Sequence, residues 1–226
     1  MSDVGLHRLN AMDTPEALKA LGRCCGSSSW CFKIASGRPY PSRTELLRFS
    51  DLKFRSLTKI EWFEAFAHHP PIGDQASVDR SAESGWSADE QSLSLQATPE
   101  VLASLLEMNR DYYRRFGYTF IVFAEGLEAS DILLQMRRRY RHDPYDEMTV
   151  AGEHQRRITR SRVEKLLDEL SALSDVPQEA PVAGDEAEKA DAWRPTGSKF
   201  GEPREPEYLK ARGRPELAED SAKKSA

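Results

Sequence analysis

Long apolar runs are missing from this chain of 226 residues: no stretch approaches the ~20 consecutive apolar residues that cross a bilayer core, so no helical membrane anchor is expected. Cysteine is scarce as well. Cys24, Cys25 and Cys31 are odd in number and two are neighbours, which fits reduced thiols packed as small hydrophobes better than a secreted disulfide framework. Their spacing is not that of a zinc site. The opening MSDVGLHRLNAMDTPEALKALG lacks the basic start and unbroken apolar core of a secretory signal, and the closing KKSA is not a Ser-Lys-Leu address. A cytoplasmic location is the resulting expectation. Positive charge is not in excess either: 32 Lys and Arg against 37 Asp and Glu leave a formal charge of −5, with no global pull toward nucleic acid or acidic membranes.

What is present is mostly helical signal, up to about residue 173. DTPEALKALG offers Asp13 or Thr14 as N-cap, Pro15 in the first turn, Leu18 and Leu21 on one face and Gly22 near the end. TKIEWFEAFAHH starts with a capping-box spacing, Thr58 three residues before Glu61, and aims Trp62, Phe63 and Phe66 at a core. WSADEQSLSL repeats the Ser-x-x-Glu spacing. In TPEVLASLLEMNRDYYRRFGY, Thr98 and Pro99 open a helix that carries Leu102, Leu105, Leu106 and Tyr113, and Gly117 closes it. YTFIVFAEG breaks the period and reads as an extended buried segment. One further helix starts near Ser130 with Ile132, Leu133 and Met136; another starts at DPYDE and runs through Ile158, Leu166, Leu170 and Leu173. These elements predict an all-α fold in a single domain over residues 1–173. From 174 to 226 the composition turns to Pro, Ala, Glu, Asp, Lys and Gly, too poor in aliphatics to offset the entropy of ordering, so this tail is expected to be disordered.

The stretch FAHHPPIGD asks for a function, because a histidine at a helix end is either bonded to backbone or held at a fixed angle for proton transfer. His69 precedes Pro70, and a residue before proline is pushed out of the right-handed helical region, so the chain should leave the helix axis there. Adjacent histidines project about a third of a turn apart on a helix, which makes His68 and His69 a poor chelate, and no metal is expected.

With CCGSSSW, HHPPIGD, SADEQ, NRDYYRRFGYTFIVFA and EHQRRITRSRV in this order, the chain resembles the 2-oxo-4-hydroxy-4-carboxy-5-ureidoimidazoline (OHCU) decarboxylase family over about residues 6 to 170. The resemblance implies an all-helical single domain, often a homodimer, which acts in uric acid degradation. It would release carbon dioxide without cofactor or metal and form (S)-allantoin, with neither nucleic acid nor membrane as partner. It further implies His69, Glu90 and Arg162 as catalytic residues. Substrate contacts would come from Pro70, Ser87 and Gln91 and from the backbone of Phe120, Ile121, Val122, Phe123 and Ala124. Many relatives have Arg where this chain has Pro71, which removes a ligand role at that position and leaves the histidine intact.

The residue types suit such a reaction. Loss of carbon dioxide leaves an electron pair on carbon, and many enzymes recruit a cofactor as electron sink. Here a ring C=N bond beside the carboxylate-bearing carbon supplies one, so the protein has only to orient, stabilise and reprotonate. Carbonyls at the helix end and a neighbouring carboxylate would keep a proton on His69 near neutral pH, for delivery to one face of the carbanion. Glu90 would sit ionised in the first turn of a helix opened by Ser87 and accept the substrate hydroxyl. Arg162 offers a planar fork matched to a carboxylate or ring carbonyl.

Competing readings remain at several positions. Ser87 and Glu90 also satisfy a plain capping box, Gln91 alone resembles a surface residue, and Arg162 lies within RRITRSR, most of which should be solvated. Asn109, Tyr113 and Phe116 read as packing or supporting residues. Two other functions are open to this sequence: an inactive helical interaction scaffold, and DNA contact through Arg212-Gly213-Arg214-Pro215, which matches the core of a minor-groove hook.

Overall fold

Capping and periodicity place most of the helices. In the computed structural model, which describes residues 3–72, 86 and 97–173, the described helices are α1 (Val4–Ala11), α2 (Thr14–Gly22), α3 (Ser28–Ser36), α4 (Arg43–Arg55), α5 (Lys59–Ala67), α6 (Pro99–Phe116), α7 (Ala129–Arg139) and α8 (Pro144–Ala172). Asp13 caps α2 in a reciprocal box with Glu16, and Thr58 caps α5 in the same way with Glu61; an N-cap of this kind contributes ~1 kcal/mol. Thr98 stands at the N-cap of α6 without a side-chain bond, and Gly117 ends that helix at φ 81°, a left-handed conformation that glycine adopts without strain.

Two hydrophobic clusters form the interior. The first joins α1–α4 to the C-terminal half of α8 through Leu9, Leu21, Trp30, Ile34, Leu46, Val163 and Leu167. The second joins α5, α6 and α7 to the N-terminal half of α8 through Phe66, Leu105, Tyr112, Phe116, Ile132, Met136 and Met148. Helix α8 runs through both, and Trp62 packs against both. In α6 the buried stripe is Leu105, Asn109, Tyr112 and Phe116, whereas Leu102, Leu106 and Tyr113 lie at its half-buried edge. The expected stripe ran through Tyr113; packing instead buries its neighbour Tyr112, and of the four residues expected on that face only Leu105 is buried.

Residues 119–124 form neither helix nor strand and are buried apart from the half-buried Phe123, in line with the extended buried segment expected there. The helix expected over WSADEQSLSL and the tail from 174 onward lie outside the described residues. Trp86 is described: its indole N–H donates to Glu169 at 2.6 Å, and the Arg23 guanidinium lies 4.2 Å from its ring centroid. Among the described residues no helix is long and apolar enough to cross a membrane.

Candidate active site

Helix α5 ends where proline interrupts its hydrogen bonding. His68 is its C-cap, the His69 N–H donates back to the Phe66 carbonyl at 3.1 Å, and Pro70 cannot continue the ladder. The His68 ring is seated on Gly26, where a Cβ would fall 2.2 Å from its Cδ2, so the loop before α3 must have glycine there to approach so closely. His69 is thereby directed at a cleft of about 410 Å³, counting its open mouth, lined by His69, Pro70 and Ile72, by residues 120–125 and by Ile158 of α8.

Three side chains fasten the 120–124 wall. Buried Asn109 donates to the Ile72 carbonyl at 3.1 Å, while its own oxygen accepts from Thr119 Oγ1 and from the Phe120 N–H, both at 3.4 Å. It therefore ties the two walls of the cleft together. Arg139 donates through Nη1 to the Ile121 carbonyl at 2.9 Å and lies over the Phe120 ring at 4.3 Å. Its charge is met by fully buried Glu147, through bonds of 2.8 and 2.6 Å to one carboxylate oxygen that also accepts from the Tyr112 hydroxyl. The Phe123 N–H donates to His154 Nδ1 at 3.2 Å. Burial, and after it the charges of Arg139 and Arg157, lowers the His154 pKa to about 4, so at neutral pH its Nδ1 is free to accept.

Helix α8 lines the cleft with Ile158 and carries a buried polar face. Gln155, Thr159 and Arg162, spaced i, i+4, i+7, share one face and are all buried. Arg162 is 1 % exposed although it stands in a run of basic residues, so its neighbours' solvation was no guide to it. It lies close enough to His69 to act on its titration. Desolvation first, then the charge of Arg162, then His68 push the His69 pKa well below its ordinary 6.5, and a contact with the Gln155 side chain opposes them only in part. This reverses the expectation that helix-end carbonyls would keep His69 protonated. At neutral pH the imidazole is neutral, because burial and the guanidinium beside it outweigh the weak field of the helix end.

The cleft thus brings together His69, Pro70, Phe120, Ile121, Val122, Phe123 and Ala124, with Arg162 beside His69. Ser87, Glu90 and Gln91 lie outside the described residues. Gln155, His154 and Asn109 take parts in or around the cleft that the sequence did not assign to them. The signal available for Gln155 was its helical register with Arg162; His154 carried none. Chemically, a neutral imidazole beside a buried guanidinium can take a proton from a ligand while the cation holds an anionic group.

Known proteins share both sequence and fold with this chain. The family model for OHCU decarboxylase matches residues 10–164. The chain is 31% identical over 155 residues to the uric acid degradation bifunctional protein TTL of Arabidopsis thaliana, covering 67% of this chain and 48% of that protein. It is 24% identical over 165 residues to the 2-oxo-4-hydroxy-4-carboxy-5-ureidoimidazoline decarboxylase of Haloferax volcanii, covering 72% of this chain and 96% of the relative. The chain therefore spans about half the length of the plant protein and nearly all of the archaeal one. A crystal structure of OHCU decarboxylase in the presence of (S)-allantoin superposes with a TM-score of 0.56 and 28% identity, over 65% of this chain and 96% of that one. A structure of (S)-allantoin synthase, at 16% identity and TM-score 0.53, shares the fold.

Proposed function

From the premise that this chain belongs to the OHCU decarboxylase family, we propose that it is a carboxy-lyase converting 2-oxo-4-hydroxy-4-carboxy-5-ureidoimidazoline to (S)-allantoin in urate breakdown, without cofactor. The observation that supports this reading most directly is the pairing of His69 with Arg162 at a cleft walled by residues 120–124. In this reading Arg162 grips the anionic substrate, and the backbone of Phe120 to Ala124 with Pro70 frames its ring. Ser87, Glu90 and Gln91 complete the contacts, Glu90 accepting the substrate hydroxyl as the imidazoline docks. The protein acts as a homodimer in the cytoplasm.

The electron count is simple. The bond from the ring carbon to the carboxylate breaks, carbon dioxide leaves, and the electron pair moves toward the adjacent C=N, whose nitrogen takes a proton from solvent. The enol so formed becomes the ring carbonyl when its hydroxyl proton passes by way of Glu90 to neutral His69, and the imidazolium returns that proton to the neighbouring ring carbon. Delivery from a fixed direction sets the hand of the product, whereas unassisted protonation of a planar carbon has no facial preference.

Substrate generated fresh from urate by the two preceding enzymes, with (S)-allantoin followed by circular dichroism, tests the reading. His69→Ala is expected to lose on the order of 10²-fold or more in kcat. An optical rate unchanged in that variant removes His69 from the chemistry, and a folded wild type that adds no (S)-product over the spontaneous reaction favours the inactive scaffold.

A further inference from the structure

We propose that Gln155 is the positioning residue of this site: its side-chain oxygen receives one ring N–H of His69, fixing a single tautomer whose bare nitrogen faces the cleft. It rests on the reading of His69 as the proton-transfer group.

The bonds around Gln155 are out of balance. Its side chain is fully buried, a poor place for an amide unless its polar atoms are used. Its Nε2 donates to Thr159 Oγ1 at 3.4 Å, one turn along α8. A helical threonine can send its own O–H to the carbonyl four residues back, which leaves Oγ1 as the acceptor and commits the amide nitrogen to it. The other end is then the acceptor Oε1, which has no hydrogen-bond partner within 3.5 Å among the described residues. The His69 ring is near enough for Gln155 to favour its protonated form, as an amide oxygen turned toward the ring does and an amide nitrogen would not. A buried oxygen left unbonded forfeits the hydration it had in the unfolded chain, so a small closure that brings a ring N–H onto Oε1 is favourable.

This partner selects the tautomer. Glutamine oxygen cannot donate, so the nitrogen facing Gln155 carries the hydrogen and the remaining nitrogen carries the lone pair. Arg162 on α8 and His68 at the end of α5 both oppose a positive ring, and Glu125 lines the same cleft. His69 consequently starts neutral and must accept a proton before it can donate one. Gln155 then stabilises the imidazolium that forms, because its oxygen stays bonded to the same N–H throughout the transfer. Without it, neither ring nitrogen has a preferred direction.

Imidazole nitrogen NMR of the full-length ¹⁵N-labelled protein, with the His69 signals assigned by their loss in His69→Gln, reads this without turnover. Wild type is expected to show one protonated and one bare nitrogen in a single tautomer at pH 7.5, with a titration midpoint below 6.5. Gln155→Leu should mix the tautomers and lower the midpoint further; Gln155→Glu should raise it by about one unit or more, since a carboxylate near the ring favours its charge. In the decarboxylation assay, Gln155→Leu should lose on the order of tenfold in kcat with KM within about twofold, the scale of one hydrogen bond. The acid limb of the Gln155→Glu pH profile should move up with its midpoint. Loss of packing alone would lower melting temperature without moving either quantity, and if Gln155→Leu does not fold, Gln155→Glu carries the test. A tautomer ratio and midpoint unchanged in the folded variants would overturn the assignment. A chain inactive on the ureidoimidazoline but with a Gln155-dependent ring spectrum would sink the functional reading alone, whereas an active chain with an unmoved spectrum would sink this inference alone.

Discussion

At the scale of single residues, buried charge is the dominant risk in this molecule, and Glu147 concentrates it. One fully buried carboxylate serves Arg139, the Tyr112 hydroxyl and, through its second oxygen at 2.7 Å, His142 Nδ1. Removing one member of such a set strands the others, which costs more than the set contributes when whole. Glu147→Gln is therefore expected to destabilise the fold by about 3–5 kcal/mol in urea unfolding, through the uncompensated Arg139 charge. Pairing it with Arg139→Met should recover part of that stability but little activity, because the Arg139 bond to the Ile121 carbonyl at the cleft wall is then also lost. A double variant no more stable than the single one would show that the cluster's worth lies elsewhere. EHQRRITRSR gave grounds for choosing Arg162 only through family spacing, since burial of one arginine among several depends on the face it occupies on α8 and not on its neighbours in the chain.

At the scale of elements, the cleft depends on an irregular segment between two helices. Residues 119–124 lack a ladder of their own, so side chains from α6, α7 and α8 satisfy their backbone groups. Asn109 has the widest reach, since it holds both Ile72 and Phe120. Asn109→Ala should cost on the order of 3 kcal/mol by leaving a buried carbonyl and a buried N–H unpaired, and should raise KM more than it lowers kcat because the wall moves while His69 stays. Asn109→Asp keeps the acceptor but sets a buried carboxylate oxygen against the Ile72 carbonyl, so it should destabilise at least as much as Ala. Equal kinetic constants in all three would mean that the wall is held without it. The caps of α2 and α5 and the glycine stop of α6 were legible locally, because capping and left-handed turns involve residues only a few positions apart. The one-residue error of phase in α6 was not, since either tyrosine of the pair continues an apolar stripe and only packing chooses.

At the scale of the whole molecule, the two clusters share α8 and Trp62, and two histidines held neutral at and beside the cleft tie stability to pH. His154 is lowered to about 4 and His69 well below 6.5. Below about pH 6.5 the unfolded chain binds protons that the folded chain does not, so their contribution is complete above that pH and is lost as pH falls, through about 4 for His154. The slope is up to about 1.4 kcal/mol per pH unit for each histidine. The melting temperature is expected to drop between pH 7.5 and 5, and by less in His154→Gln, which keeps an acceptor for the Phe123 N–H but cannot titrate. An equal drop in both proteins would place the acid sensitivity on other groups.

The amino-acid sequence determined α2, α5, α6, α7 and α8, the reciprocal caps of α2 and α5, the break at His69 and Pro70 and the extended run after Gly117, because each obeys steric and hydrogen-bonding rules that act over a few residues. Only the tertiary structure decided the protonation of His69, the burial of Arg162 and the approach of Gln155 to His69. Those depend on which distant groups share a volume from which water is excluded, and there a neighbouring charge or an unpaired oxygen matters far more than its place in the chain.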